Sequence, residues 1–200
     1  MKNILQINSS LMGNQSYSIK LSQAIVEKIK QKNPEHKLEV LDLVETQIPH
    51  LTPRVLQSFF IPNEQLTEEH KQLAKLSNEL VKQLLANDII VIGAPLYNFT
   101  IPTQLKAWID HITRAGITFG YGENGTIGLL KGKKVYVAMT SGGVYSDDHG
   151  KDNDFVAPYL KAFFGFLGMT DITVYKAEGL KIPGLMEHAL EKAIDSIAID

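Results

Sequence analysis

A run of five apolar residues at positions 89–93, Ile-Ile-Val-Ile-Gly, constrains the fold of this chain more than any other feature. The run is too short for a helix and is rich in β-branched residues, which is typical of a strand buried on both faces of a parallel sheet. Ala94 and Pro95 are expected to end the strand, so that residues 96–99, Leu-Tyr-Asn-Phe, lie just beyond its carboxyl end. Open α/β sheets bind ligands in the crevice at that edge. The alternative is a loop whose aromatic side chains merely cover the end of the sheet.

Strand and helix patterns alternate along the rest of the chain. Short apolar runs predict further strands at residues 4–7, 38–43, 135–139 and 172–175. Apolar residues at helical spacing predict five helices. The first ends near residue 33, the second begins after Thr67 and the third begins after Pro102. The fourth lies around 155–167, and the fifth begins at about Pro183. Two segments lack a clear period. Residues 46–66 are expected to form a loop with one short helix, and the glycine-rich residues 115–130 are expected to form a long loop.

Five strands alternating with helices predict a single α/β domain over residues 1–200. Parallel strands joined by right-handed crossovers place helices on both faces of the sheet, which gives a three-layer sandwich. At this length the natural choice is the flavodoxin-like fold, a five-stranded parallel sheet in the order 2-1-3-4-5. Its ligand site is expected at the switch point between strands one and three, and both of those strands end in polar segments.

Composition excludes several classes of function. The 20 basic and 22 acidic residues give a net charge of −2, which offers no electrostatic case for nucleic acid. The chain has no cysteine, so thiolate catalysis and cysteine-ligated metals are excluded. The apolar part of the first residues is too short for a signal peptide, and no apolar run approaches the roughly 20 residues of a membrane helix. We therefore expect a cytoplasmic protein that does not contact a membrane.

Three segments at the predicted sheet edge have the character of a ligand site. After strand one, residues 8–18 open into a helix, whose free N–H groups and the hydroxyls of Ser10, Ser16 and Ser18 predict an anion site. Ser16 or Ser18 could instead simply cap that helix. After strand four, Thr140, Ser141, Gly142 and Gly143 allow close approach of a ligand to the backbone, or form a plain glycine turn.

Together with the aromatic segment at 96–99, these features call for a phosphate joined to a planar ring. Flavin mononucleotide (FMN) meets that description, with its phosphate near residues 16–18 and its ring edge against residues 96–99 and 140–143. No acid–base pair is evident, so no catalytic side chain is predicted. A flavin does not require one for hydride transfer, because the cofactor carries the chemistry.

Two other patterns are judged uninformative. Residues 120–125, Gly-Tyr-Gly-Glu-Asn-Gly, match the dinucleotide fingerprint G-x-G-x-x-G, but they follow no predicted strand and lead into no helix, so we reject them as a nucleotide site. Phe119 and Tyr121 in this segment are available to cover a ligand. The six histidines show no metal-ligand spacing, and no metal is expected.

The chain resembles the FMN-dependent NADH:quinone oxidoreductases, a family that includes bacterial azoreductases. The matching segments are Ser9-Ser10, Ser16-Tyr17-Ser18, residues 94–99, residues 116–119, Asn124-Gly125, and the late run from Pro158 to Gly168. The similarity runs nearly from end to end.

Membership would imply one FMN per subunit, NADH as electron donor, and a homodimer with two flavin sites at the subunit interface. Quinones or aromatic azo compounds would accept two electrons in a ping-pong reaction, and azo compounds would be cleaved to amines. Carried across, Ser10, Ser16, Tyr17 and Ser18 hold the phosphate and ribityl chain. Leu96, Tyr97, Asn98 and Phe99, with Thr140, Ser141, Gly142 and Gly143, hold the ring, and Tyr121 and Phe163 stack the substrate.

The sequence departs from the family at two positions and leaves one alternative function. Tyr17 stands where members often carry glutamine, and the turn at 140–143 lacks the arginine that some members place beside its glycines. The alternative is a flavodoxin-type FMN electron carrier without NADH activity of its own. Such carriers are usually strongly acidic, and the balance of charges here argues against it. A phosphoacceptor domain would need acidic residues after strand one, where this chain has Asn8-Ser9-Ser10.

Overall fold

The structure is a computed structural model that describes residues 1–123 and 125–199. Its strands are β1 Asn3–Asn8, β2 Lys37–Asp42, β3 Ile89–Pro95, β4 Phe119–Gly122, β5 Gly125–Gly128, β6 Lys134–Thr140 and β7 Asp171–Ala177. Its helices are α1 Tyr17–Lys32, α2 Leu43–Thr46, α3 Pro53–Ser58, α4 Glu68–Ala86, α5 Thr103–Ile112, α6 Ala157–Phe166 and α7 Ala189–Asp195. Short 3-10 turns lie at Gly13–Gln15, Asn63–Gln65 and Lys151–Asn153.

Five of the strands form one parallel sheet in the order β2-β1-β3-β6-β7. Counted along this sheet alone, β6 is the fourth strand and β7 the fifth, so the predicted flavodoxin-like order is confirmed. Asn8 pairs with Asp42 on one side and with Gly93 on the other. The carboxyl ends of β1 and β3 therefore meet at the same edge of the sheet.

The core is divided between the two faces of the sheet, as the continuous apolar run in β3 requires. All seven residues of β3 are buried, and alternate side chains point to opposite faces. Ile90 and Ile92 pack in the cluster that contains Trp108 of α5 and residues of α4 and α6. Val91 packs on the other face, in the cluster built by α1 and α7. Helices thus cover both faces, as the three-layer prediction requires.

The expectation of a long loop at residues 115–130 was wrong. β4 and β5 in this segment pair antiparallel, with Phe119 opposite Gly128 and Tyr121 opposite Thr126. Glycines occupy alternate positions in β4 and both ends of β5, which hides the apolar alternation that would mark a strand. The G-x-G-x-x-G match lies in this hairpin and leads into no helix, although its Asn124 lies outside the described residues.

Three boundaries also differ from the prediction. The last helix begins at Ala189 rather than near Pro183, because Gly184 has a φ of +85°, which no right-handed helix accepts. β3 continues through Pro95, which pairs with Thr140. β2 ends at Asp42 rather than at residue 43, because Leu43 begins the short helix α2, whereas residues 46–66 hold α3, the one short α-helix expected there.

Two further findings concern the described residues only. No helix among them is long and apolar enough to span a membrane. Likewise, within residues 1–123 and 125–199, no group of three or more His, Cys, Asp or Glu side chains is placed to hold a metal ion.

Candidate functional site

A cavity of about 280 Å³ opens at the carboxyl edge of the sheet, where the predicted segments meet. We call it the edge cavity. It is lined by Ser10, Met12, Gln15, Ser16, Tyr17, Pro95, Leu96, Tyr97, Thr140, Ser141, Gly142, Leu180 and Lys181. Most of the cofactor-binding residues predicted from sequence are therefore brought together in one place. Four of them, Ser18, Asn98, Phe99 and Gly143, do not line it.

Ser9 and Ser10 join the end of β1 to the end of β3. The Ser9 hydroxyl donates to the carbonyl of Gly93 at 2.7 Å. The Ser10 hydroxyl lies 3.2 Å from the phenolic oxygen of Tyr97 and accepts a hydrogen bond from the Met12 N–H at 3.2 Å. These contacts hold the loop after β1 against the segment that follows β3.

The start of α1 forms the polar end of the edge cavity. Ser16 is the N-cap, and its hydroxyl oxygen accepts from the N–H of Ile19 at 3.3 Å. The N–H groups of Tyr17 and Ser18 lie in the first turn, where no carbonyl of the helix can accept from them. With the positive end of the helix dipole, these groups favour an anion. Ser16 therefore serves as the cap and also lines the cavity, so the two alternatives are compatible.

Ser18 does not line the cavity but contacts Ser16, which does. It is fully buried, and its hydroxyl lies 3.0 Å from that of Ser16. A Cβ placed on Gly93 would come within 3.1 Å of the Ser18 carbonyl oxygen, which is tighter than ordinary packing. The close approach of α1 to β3 therefore depends on glycine at position 93.

The segment after β3 closes into a tight turn between Tyr97 and Thr100. The two residues exchange backbone hydrogen bonds of 2.9 and 3.1 Å, and Asn98 and Phe99 between them have φ values of +48° and +70°. Two consecutive positive φ values define a type I′ turn, which Asn favours and Phe rarely adopts. Because of this turn, both side chains are exposed at the rim while Leu96 and Tyr97 line the cavity.

The turn after β6 supplies the opposite wall. The N–H of Leu96 donates to the Thr140 carbonyl at 2.8 Å, which ties this wall to the aromatic segment. The Ser141 hydroxyl donates to the Gly143 carbonyl at 2.8 Å, and that carbonyl also accepts from the N–H of Gly179. The Gly143 carbonyl thus stabilises the turn by accepting two hydrogen bonds, whereas Gly142 lines the cavity.

Sequence reasoning missed Met12, Gln15, Pro95, Leu180 and Lys181. Leu180 and Lys181 follow β7, and the rule that strand carboxyl ends line the crevice of an open sheet would have pointed to that loop. Lys181 carries the one formal charge among the lining residues of this cavity.

Comparison with known proteins agrees with this architecture. The protein-family model for the flavodoxin-like fold matches residues 2–198. An FMN-dependent NADH:quinone oxidoreductase from Paraburkholderia phymatum is 47% identical over 199 residues, covering 99% of each chain. One from Herminiimonas arsenicoxydans is 46% identical, covering 90% of this chain and 88% of its own.

The chain belongs to the FMN-dependent NADH:quinone oxidoreductase family.

Solved structures in this family have the same fold. The FMN-dependent NADH-azoreductase from Bacillus anthracis in complex with FMN is 31% identical, with a TM-score of 0.85 over 98% of this chain and 97% of its own. A second azoreductase from the same species is 28% identical, with a TM-score of 0.87 over 98% of both chains.

Two residues that the family resemblance assigned to substrate lie outside the lining of the edge cavity. Tyr121 is 78% exposed on β4 and contacts the ring of Phe119 edge-on, with the ring centroids 5.7 Å apart. Phe163 of α6 is half-buried and stacks on Tyr159 at 6.3 Å. A single chain therefore does not bring these rings into the lining of the cavity.

Proposed function

We propose that this chain uses NADH to reduce quinones and to cleave aromatic azo compounds to amines, through a ping-pong two-electron reaction with bound FMN. The observation that carries the proposal is the convergence, in one cavity, of a helix start bearing serines, an apolar and aromatic segment, and a glycine turn. Family membership supports the same chemistry, because the relatives are named for FMN, NADH, quinones and azo compounds.

The residues of the edge cavity suit FMN at both ends. Ser10, Ser16, Tyr17 and Ser18 would hold the phosphate and ribityl chain, with Ser18 acting through Ser16. Leu96, Tyr97, Thr140, Ser141 and Gly142 would hold the ring. Asn98, Phe99 and Gly143 would support it from the rim and the turn. The cavity has an apolar wall and a polar end, which matches a flat ring joined to an anion.

FMN supplies the redox chemistry when it is bound, by accepting a hydride from NADH and passing two electrons on. The protein would hold the flavin ring along one edge, which leaves one face of the ring open first to NADH and then to the electron acceptor. No side chain among those lining the cavity is a carboxylate or an imidazole, which is consistent with a reaction that uses no protein acid or base.

The proposal extends to assembly and location. We propose a homodimer of single-domain subunits spanning residues 1–200, in which Tyr121 and Phe163 reach substrate once a second subunit completes the site. The support is that neither ring lines the cavity in one chain, while Tyr121 is largely exposed. We place the enzyme in the cytoplasm, where NADH is available.

Steady-state kinetics of the FMN-loaded protein test the proposal. We expect anaerobic NADH to bleach the flavin rapidly, and a quinone or an azo dye to restore its colour. Parallel double-reciprocal plots at several acceptor concentrations are expected for a ping-pong reaction, and a comparison with NADPH establishes the nucleotide preference. A flavin that millimolar NADH leaves oxidised would favour a simple electron carrier instead. A protein that takes up no FMN would overturn the proposal altogether.

A further inference from the structure

Lys181 places a positive charge beside the glycine turn of the edge cavity. It lies in the loop after β7, and its backbone N–H donates to the Gly142 carbonyl at 3.0 Å. This hydrogen bond fixes the start of the side chain next to the wall that we assign to the flavin ring.

The side chain of Lys181 runs across the face of Gly142. A Cβ built on Gly142 would lie 3.0 Å from the Lys181 Cδ and 3.2 Å from its Cγ. The lysine stem therefore occupies the space that a larger residue at position 142 would fill, and the exposed Lys181 side chain lines the edge cavity. Within the part of the chain that the structure describes, this ammonium forms no ion pair with a carboxylate.

We propose that Lys181 stabilises the negative charge that bound FMN gains on reduction, and so raises its reduction potential. The inference rests on the proposed function. A hydride from NADH carries two electrons and one proton, so NADH leaves as NAD⁺ and the flavin becomes FMNH⁻, with its added negative charge in the ring. A cation beside the ring favours this charged form over the neutral oxidised form.

The placement of the other charges makes Lys181 the residue for this role. The turn at 140–143 contains no arginine of its own. Lys20 is not a lining residue of the cavity, and its ammonium lies 5.5 Å over the ring of Tyr17, near the end where we place the phosphate. Lys181 thus supplies from β7 a charge that the turn itself lacks.

The test compares FMN-loaded Lys181→Gln, Lys181→Arg and wild-type protein by spectroelectrochemistry in low salt. Lys131→Gln is the matched control, because Lys131 is also exposed but precedes β6 at the opposite edge of the sheet. We expect Lys181→Gln to weaken the preference for reduced over oxidised FMN about tenfold, which lowers the two-electron potential by about 30 mV. Lys181→Arg is expected to have the same potential as wild-type protein, and so is Lys131→Gln. In wild-type protein the potential falls toward that of Lys181→Gln as salt is raised, since the charge is exposed.

Dissociation constants for oxidised and reduced FMN complete the test. Lys181→Gln is expected to weaken binding of reduced FMN while binding of oxidised FMN stays nearly unchanged. Equal weakening of both forms, or an unchanged potential with FMN bound, would overturn the inference and leave the proposed function standing. A changed KM for NADH without a shift in potential would also overturn it, because Lys181 would then act on the nucleotide. Failure of the wild-type protein to bind FMN would instead reject the proposed function, and this inference with it.

Discussion

The hydroxyl of Ser10 lies 3.2 Å from the phenolic hydroxyl of Tyr97, so that one hydrogen bond joins the loop after β1 to the segment after β3 across the edge cavity. The two residues come from different segments of the cavity lining, and their contact joins these segments.

The Ser10–Tyr97 contact predicts coupled effects on FMN binding. Ser10→Ala and Tyr97→Phe are each expected to weaken FMN binding about fivefold, corresponding to roughly 1 kcal/mol for a lost hydrogen bond. Because both remove the same contact, the double variant is expected to lose less than the sum of the two. Fluorescence titration of FMN measures all three constants. Strictly additive effects would show that the contact contributes nothing.

Ser16 is expected to contribute to both stability and cofactor binding. Ser16→Ala removes the N-cap of α1 and is expected to lower the free energy of unfolding by about 1 kcal/mol. Thr67→Ala is the matched control, since Thr67 caps α4 with the same type of bond, accepting from the His70 N–H at 3.3 Å. Urea unfolding should show a similar loss for both variants. Only Ser16→Ala is expected to weaken FMN binding, and a similar effect from Thr67→Ala would argue against an anion site at Ser16.

Gly93 is expected to tolerate no side chain. Gly93→Ala places a Cβ 3.1 Å from the Ser18 carbonyl oxygen and forces α1 away from β3, at a cost of about 1–3 kcal/mol in unfolding free energy. Gly165→Ala in α6 is the control, because its added Cβ meets nothing within 4 Å and should stabilise the helix by about 0.5–1 kcal/mol. Chemical denaturation measures both. Gly93→Ala with wild-type stability would show that the helix shifts freely.

Variants at Asn98 test whether its side chain or its backbone contributes to FMN binding. Asn98→Ala is expected to weaken FMN binding, because an amide at the ring edge can both donate and accept. The φ of +48° at this position also penalises alanine, so Asn98→Gly, which accepts that φ without strain, separates the two effects. Equal FMN affinity in wild type and Asn98→Gly would assign the contact to the main chain.

Stability is expected to fall at acid pH through His111. Its Nε2–H donates to the Pro49 carbonyl at 3.0 Å, and its buried Nδ1 has no hydrogen-bond partner among the described residues. Burial lowers the pKa of His111 below its usual 6.5, which the bond to Pro49 only partly opposes. The unfolded chain therefore takes up this proton first as pH falls, so the stabilisation is complete above pH 6.5 and declines below it. Urea unfolding at pH 7.5 and 5.5 should show a smaller difference for His111→Gln than for wild type. An identical difference would exclude His111 as the cause.

The main sheet could be predicted from sequence because four of its strands contain short, mainly apolar stretches and β2 alternates apolar with charged residues. The same reasoning failed for β4 and β5, whose glycines remove the side chains on which a strand pattern depends. It also placed the last helix too early, since the left-handed φ of Gly184 leaves no trace in the apolar spacing.

Within the site, the serines and the glycine turn were accessible to sequence reasoning because they directly follow strands. The inward or outward direction of Asn98 and Phe99 was not, since it depends on a turn type that phenylalanine seldom adopts. Lys181 was missed for a different reason. A single lysine in a loop carries no pattern, and only the packing of its stem on Gly142 and its place in the cavity lining connect it with the site.

The close contact of α1 with β3 at Gly93 has a consequence for which flavins the protein accepts. It fixes the distance between the helix start and the strand end, so we expect the cavity to discriminate ligands by length as well as by chemistry. Riboflavin would leave the helix start without an anion, and FAD would have to extend its adenosine monophosphate past the start of α1.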